Sequence, residues 1–307
     1  MATIEIVDVP HAYELTAPTK TPHTLVFIHG WLNSRGYWQP VISQLSDEFQ
    51  CLSYDLRGFG ESHPKLKTDY SQEQTYFSLS AQSADAFFNP FESLYSPATY
   101  ARDLAVLLKE LHITSAWLIG HSLGGTIALW GAAKMHECVR GVICINSGGG
   151  IYLKEAFEQF RSAGQRFLQV RPRWLSQVPL IDLLFTRASV ARPLERTWAR
   201  QRVIDFVAAD PEAALGTLLE STTEEEINHL PQLVSQLKQP VYFLTGTEDR
   251  VMEPKYVRHL ASFHPSFQYC GNNVIEIPNC GHLAMLEQPE AVANHIRSLV
   301  SQENYEL

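Results

Sequence analysis

Residues 116–130 have the sequence AWLIGHSLGGTIALW, and this stretch decides the fold. Its first four residues form an apolar run that predicts a buried strand, and its last five predict a helix. Between them lies Gly-x-Ser-x-Gly, with Ser122 at its centre. A serine on a sharp strand-to-helix turn has a strained backbone, and only glycine neighbours let the two arms approach. The stretch therefore predicts a nucleophilic serine at a helix N-terminus, where free N–H groups face the reacting atoms.

Apolar runs of strand length recur along the chain and alternate with helical segments. The runs are 24–28, 50–54, 116–119, 139–145, 241–245 and 274–277, and helical segments include 38–45, 100–111 and 291–299. Continuous apolar runs, unlike alternating ones, suit strands that are buried on both faces. Their alternation with helices predicts an α/β fold with a mostly parallel central sheet and helices on both faces. Functional residues are expected at the carboxyl ends of such strands.

Two segments interrupt this alternation. Residues 63–97 form a long connection rich in aromatic side chains, which we interpret as an insertion within the core. Residues 149–231 contain several amphipathic helical patterns and no predicted strand, which indicates an inserted helical cap, or lid. The α/β core would then comprise residues 1–148 and 232–307, and the 307-residue chain is long enough for it.

Composition excludes several classes of protein. The net charge of −9 argues against a nucleic-acid-binding protein, which needs a basic surface. The N-terminus lacks the basic and apolar regions of a signal peptide, and no apolar run is long enough to span a bilayer. The five cysteines are scattered, as is typical of free thiols in a reducing compartment. We therefore predict a cytoplasmic protein, and no motif indicates a metal or another cofactor.

The cap segment is basic within an acidic chain. Nine arginines, no lysine and two acidic residues lie between Arg161 and Arg202. Solvated helix faces that pair with the acidic body would explain this composition. The alternative is that the arginines attract an anionic substrate or an anionic lipid surface, which would bring the cap into peripheral contact with a membrane. The sequence leaves the oligomeric state open.

A serine hydroxyl needs an adjacent base, and a histidine oriented by a carboxylate meets that need. His282 follows the last predicted strand, and Asp249 follows the strand before it. Both are therefore expected at the same edge of the sheet as Ser122. Glu248 and, at another strand end, Asn146 are alternatives to Asp249.

Taken in order, the motifs of the chain resemble those of α/β-hydrolase-fold serine hydrolases. They are FIHGW at 27–31, YDLRGFGES at 54–62, the serine turn, GTEDRV at 246–251, and GH at 281–282 followed by EQP at 287–289. The resemblance implies that Ser122 is the nucleophile, His282 the general base and acid, and Asp249 the carboxylate that orients the imidazole. It also implies an oxyanion hole formed by the backbone N–H groups of Trp31 and Leu123.

This resemblance predicts hydrolysis of a small-molecule carboxylic ester through an acyl-enzyme, as in carboxylesterases and lipases. The aromatic insertion and the helical cap favour an ester with an apolar, lipid-like acyl or alcohol group. Serine in place of aspartate at the turn argues against haloalkane dehalogenase and epoxide hydrolase chemistry. The alternatives are acyl transfer to another acceptor, hydrolysis of a C–C bond beside a ketone, perhydrolysis, and ligand sensing with little turnover.

Overall fold

A computed structural model describes residues 2–63, 93–150, 154–169, 171–269 and 273–303. The strands are β1 Ala2–Ile6, β2 Val9–Leu15, β3 Thr24–Ile28, β4 Gln50–Tyr54, β5 Ala116–His121, β6 Val139–Ile145, β7 Val241–Gly246 and β8 Val274–Ile277. Within the described residues they form one eight-stranded sheet of order β1-β2-β4-β3-β5-β6-β7-β8. β2 is antiparallel to β1 and β4, and the other neighbouring pairs are parallel. The predicted α/β fold is confirmed.

Helices cover both faces of this sheet. They are α1 Gln39–Leu45, α2 Pro97–Glu110, α3 Leu123–Lys134, α4 Lys154–Gln169, α5 Ile181–Arg187, α6 Arg196–Ala208, α7 Pro211–Ser221, α8 Glu224–Gln236, α9 Pro254–Ala261, α10 Pro265–Tyr269, α11 Ala284–Glu287 and α12 Pro289–Glu303, with 3-10 turns at Arg35–Trp38 and Arg173–Gln177. Neighbouring residues of β3 enter different cores: Val26 packs with residues of α2 and α3, and Phe27 packs with residues of α1 and α12. Because both faces are buried, the strand is apolar throughout.

All six predicted strands are present, but the N-terminal pair β1 and β2 is missing from the prediction. Most residues of β1 are exposed or half-buried, and β2 becomes more exposed toward its end. These two strands form an antiparallel hairpin at the edge of the sheet. A strand there is only partly covered, so it lacks the continuous apolar run that identifies the central strands.

The helix boundaries differ from the prediction where capping residues set them. α2 begins at Pro97, three positions before the predicted start, because the Ser96 side chain accepts a hydrogen bond from the Thr99 N–H at 3.1 Å. α12 likewise begins at a proline, Pro289, earlier than predicted. A proline fits the first helical turn because its missing N–H has no intrahelical partner there.

Between β6 and β7, the described residues form helices α4 to α8 and one 3-10 turn. We use the name cap for residues 149–231, whose boundaries stay a prediction. The predicted aromatic insertion at 63–97 lies outside the described residues from 64 to 92. None of the described helices combines the length and the apolar composition that crossing a bilayer requires.

Candidate active site

Ser122 lies between the end of β5 and the start of α3, on a strained turn. Its backbone angles are φ 52° and ψ −120°, a combination that residues other than glycine rarely adopt. Its N–H donates to the carbonyl of Ile145 at 2.9 Å, and its carbonyl accepts from the N–H of Gly125 at 2.9 Å. These bonds hold the turn to the neighbouring strand and the following helix, so the surrounding structure maintains the strain.

The glycines on either side of Ser122 are required by close backbone contacts. A Cβ atom on Gly120 would overlap the carbonyl of Gly124, and a Cβ atom on Gly124 would overlap the carbonyl of Ile28. These backbone atoms belong to helix α3 and strand β3 and cannot move aside as a flexible side chain can. The Gly-x-Ser-x-Gly pattern is therefore explained by sterics.

Asp249 and His282 form a hydrogen-bonded pair at the carboxyl ends of β7 and β8. The distance from His282 Nδ1 to Asp249 Oδ2 is 2.8 Å. The same Oδ2 accepts from Asn146 Nδ2 at 2.7 Å, while Oδ1 accepts from the backbone N–H groups of residues 251 and 252. Of the two alternatives, Glu248 is exposed, and Asn146 binds the carboxylate instead of replacing it.

These contacts determine the charge of the buried carboxylate. Burial by itself raises the pKa of Asp249. The neighbouring His282 and the hydrogen bonds from Met252 and Asn146 outweigh burial, so the pKa lies below its usual value. Asp249 therefore remains ionised at neutral pH, and its oxygens accept hydrogen bonds, including the one from His282 Nδ1–H.

Ser122 and His282 line one cavity of about 340 Å³. Trp31 and Leu123, predicted to form the oxyanion hole, line the same cavity. The Trp31 indole Nε1 donates to the carbonyl of Ala214 in α7 at 2.9 Å, which fixes the ring against the cap. The structure thus brings four of the five predicted site residues to one cavity, with Asp249 in contact with His282.

The two predicted oxyanion donors are available. Among the described residues, none accepts a hydrogen bond from the N–H of Trp31 or Leu123. The loop before Trp31 is held by His29, whose Nδ1 donates to the carbonyl of Gly30 at 2.8 Å. His29 Nε2 accepts from the N–H of Leu56 at 2.9 Å. This network fixes the loop that presents the Trp31 N–H.

His121 supports His282 in a way that the sequence does not reveal. Its Nε2 donates to the backbone carbonyl of His282 at 2.7 Å, and the two ring centroids lie 4.8 Å apart. Burial and the adjacent His282 lower the pKa of His121 well below its usual value. His121 is therefore neutral and adds no charge beside His282. Its place next to the serine was visible in sequence, but its contact with a loop 161 residues away was not.

Glu287 connects the His282 loop to the cap. Its carboxylate accepts from the N–H groups of Gly281 at 3.0 Å, Leu283 at 3.2 Å and Ala191 at 2.8 Å. The N–H of His282 itself donates to the carbonyl of Ser189 at 2.8 Å. The EQP motif marked Glu287 as part of the resemblance, but the sequence could not show that it joins these two segments.

A family model described as alpha/beta hydrolase fold matches residues 23–289. The chain belongs to the α/β-hydrolase family. The match includes the serine turn and both segments that carry Asp249 and His282. The family model thus agrees with the sheet topology and with the resemblance found in the motifs.

This α/β hydrolase is similar to two relatives in sequence and to a solved structure in fold. It is 24% identical over 282 residues to an uncharacterised hydrolase, YugF, of Bacillus subtilis (strain 168), covering 90% of the chain and 89% of that protein. It is 27% identical over 293 residues to 2-succinyl-6-hydroxy-2,4-cyclohexadiene-1-carboxylate synthase of Yersinia pseudotuberculosis serotype O:1b (strain IP 31758), covering 91% and 87%. A thermophilic esterase of Thermogutta terrifontis has a similar fold, with a TM-score of 0.71, 22% identity and coverage of 98% and 99%. The family and the Bacillus relative support a hydrolase, and the Thermogutta structure shows that the fold is shared.

Proposed function

We propose that this α/β hydrolase cleaves carboxylic esters through an acyl-enzyme, with Ser122, Asp249 and His282 as its catalytic triad. The observation that carries the proposal is the 2.8 Å hydrogen bond between Asp249 and His282, at a cavity that Ser122 also lines. Because Nδ1–H donates to the carboxylate, Nε2 of a neutral imidazole keeps its lone pair. That lone pair can accept the proton of a serine hydroxyl.

Each step of the proposed reaction uses a group in this cavity. Ser122 Oγ attacks the ester carbonyl carbon while His282 takes its proton. The N–H groups of Trp31 and Leu123 then bind the oxyanion, and each such donor lowers the barrier by about 3–4 kcal/mol. His282 protonates the departing alcohol and then takes a proton from a water molecule, which attacks the acyl carbon. The bond from this carbon to Ser122 Oγ breaks, the serine regains its proton from His282, and the acid is released.

The cavity wall supports an ester with an apolar group. Aromatic and aliphatic side chains from the cap and the core line it, namely Phe160, Phe167, Phe185, Leu218, Val251 and Met252. Burying a methylene group against such a wall contributes about 0.8 kcal/mol. A series of p-nitrophenyl esters with increasing acyl length tests this: kcat/KM should rise with chain length and be lost in Ser122→Ala. Activity on the acetate alone would contradict an apolar substrate.

The Yersinia relative supports a second candidate. That protein is named as a synthase of a cyclohexadiene carboxylate. The second candidate is therefore that this chain catalyses a reaction other than ester hydrolysis in the same cavity. Intact-mass analysis separates the two candidates during turnover of an ester. A mass increase equal to the acyl group, absent from Ser122→Ala, supports ester cleavage through an acyl-enzyme. An ester that binds but is neither hydrolysed nor transferred to the protein supports the second candidate.

We also propose that the cap contacts lipid surfaces. Trp174, Leu180 and Leu184 are 61%, 60% and 70% exposed, and the exposed Arg187 lies on the same short helix as Leu184. Apolar side chains beside cations are typical of proteins that bind anionic membranes. Co-sedimentation with vesicles containing phosphatidylserine should fall in Leu184→Asp and at high salt. Equal sedimentation of this variant and the native chain would contradict the contact.

A further inference from the structure

Arg202 places a positive charge in the wall of the cavity. It lies on α6 of the cap, and its guanidinium carbon is 5.9 Å from the centre of the Phe185 ring, which lines the same cavity. Among the described residues that line the cavity, Arg202 carries the only permanent charge, and no aspartate or glutamate is present. A ligand in this cavity therefore meets one cation within otherwise apolar and neutral polar walls.

Among the described residues, none accepts a hydrogen bond from the guanidinium of Arg202. Its Nε is buried without a hydrogen bond, and no carboxylate of the described chain forms an ion pair with it. Its electrostatic neighbours are the Tyr37 hydroxyl and Asp205, which lies one turn further along α6. The Asp205 carboxylate accepts hydrogen bonds from Ser34 Oγ at 2.9 Å and from Gln201 Nε2 at 2.7 Å instead of from Arg202.

Other arginines close to the sheet are fully paired. Arg57 binds both carboxylate oxygens of Asp103, at 2.5 and 2.6 Å, and Arg35 forms ion pairs with three acidic side chains. A charge that is withdrawn from water without a partner destabilises the folded protein. Burial lowers the pKa of Arg202, yet an arginine side chain stays protonated in proteins. Arg202 thus keeps an unused capacity to bind an anion.

We propose that Arg202 binds a carboxylate on the substrate, so that the preferred substrates are monoesters of dicarboxylic acids. The proposal rests on the ester hydrolysis proposed above and names the substrate class for that site. A guanidinium offers parallel N–H donors that match the two oxygens of a carboxylate. The apolar walls would contact the methylene groups between the ester and the acid.

Two esters of similar length test the proposal: monomethyl adipate, which is anionic, and methyl heptanoate, which is neutral. We expect the native enzyme to have the higher kcat/KM for the anionic ester. In Arg202→Gln the ratio of the two kcat/KM values should fall about 10- to 100-fold, as expected for the loss of a charged hydrogen bond. Arg202→Lys should recover part of the ratio, because it restores the charge without the planar fork.

A matched control is Arg200→Gln, which removes the same charge from an exposed position of the same helix. It should keep the native ratio, and thermal unfolding checks that each variant is folded. A native preference for the neutral ester, or the same ratio in Arg202→Gln as in the native enzyme, would overturn the assignment of Arg202.

If the proposed ester hydrolysis is wrong, the assays give a different set of results from those that overturn the role of Arg202. In that case neither ester is hydrolysed and no acyl-enzyme forms, whatever stands at position 202. Calorimetric binding of adipate to Ser122→Ala still tests Arg202 then. Affinity should drop at least about tenfold when Arg202→Gln is added. Unchanged adipate affinity would count against the carboxylate site independently of catalysis.

Discussion

The serine turn and the cap meet at one cavity but are built in different ways. Around Ser122 the backbone itself is packed, and its glycine neighbours leave no room for a Cβ atom. In the cap, large apolar side chains such as Trp174 and Leu184 are mostly exposed, and Arg202 Nε is buried without a hydrogen bond to any described residue. The difference indicates that backbone contacts fix the serine turn, and we propose that side chains of the cap select the substrate.

The largest expected effect is on kcat, when a buried carboxylate of the core is compared with a buried carboxylate of the cap. Asp249→Asn should lower kcat by about 10³- to 10⁴-fold, because an amide cannot hold the His282 tautomer that accepts a proton. Asp182→Asn changes another buried acid, one that pairs with Arg196 within the cap at 3.5 Å, and should leave kcat close to native. Steady-state kinetics on one ester measure both. A similar loss in the two variants would contradict a special role for Asp249.

A glycine of the serine turn and a glycine of the cap allow the same comparison for the free energy of unfolding. Gly120→Ala should destabilise the protein by about 3 kcal/mol or more, because its Cβ would meet backbone atoms that cannot shift. Gly164→Ala lies in cap helix α4, where the new Cβ would be 2.8 Å from the flexible end of Leu218. The better helix propensity of alanine offsets that contact, so we expect a change within about 1 kcal/mol. Urea unfolding measures the difference, and equal losses would remove the contrast.

A smaller effect concerns the contact between cap and core. Burial raises the pKa of Asp205 to about 6, above its usual value of 3.8. The folded state therefore binds this proton more tightly, and the contribution of Asp205 to stability is lost as pH rises from about 4 to 6. Asp205→Asn should remove this dependence, so its stability relative to native rises by up to about 3 kcal/mol across that interval.

Thermal or urea unfolding of both proteins at pH 4.5, 5.5 and 7 checks this prediction. Ser34 can still donate a hydrogen bond to the amide oxygen of the variant, so the contact itself is retained. Stability curves that run parallel over this pH range would show that Asp205 does not titrate as burial predicts.

The same contrast explains what the sequence could predict. Strands buried on both faces gave continuous apolar runs, and the glycine spacing around Ser122 follows from local sterics, so the central sheet and the turn were visible in sequence. The hairpin of β1 and β2 at the edge of the sheet was not visible in sequence, because its strands are only partly covered. The contacts of His121 and Glu287 depend on segments far apart in the chain. Nine arginines of the cap look alike in sequence, and only the fold distinguishes Arg202, which lines the cavity with its Nε buried and without a hydrogen bond to any described residue.

We propose that the fold makes one serine, Ser122, reactive. Treatment with a fluorophosphonate followed by intact-mass analysis tests it most directly. We predict a single adduct on the native chain, no adduct on Ser122→Ala, and native labelling of Ser147→Ala, which changes another serine of the same cavity. An unlabelled native chain, or an adduct that persists in Ser122→Ala, would contradict the account.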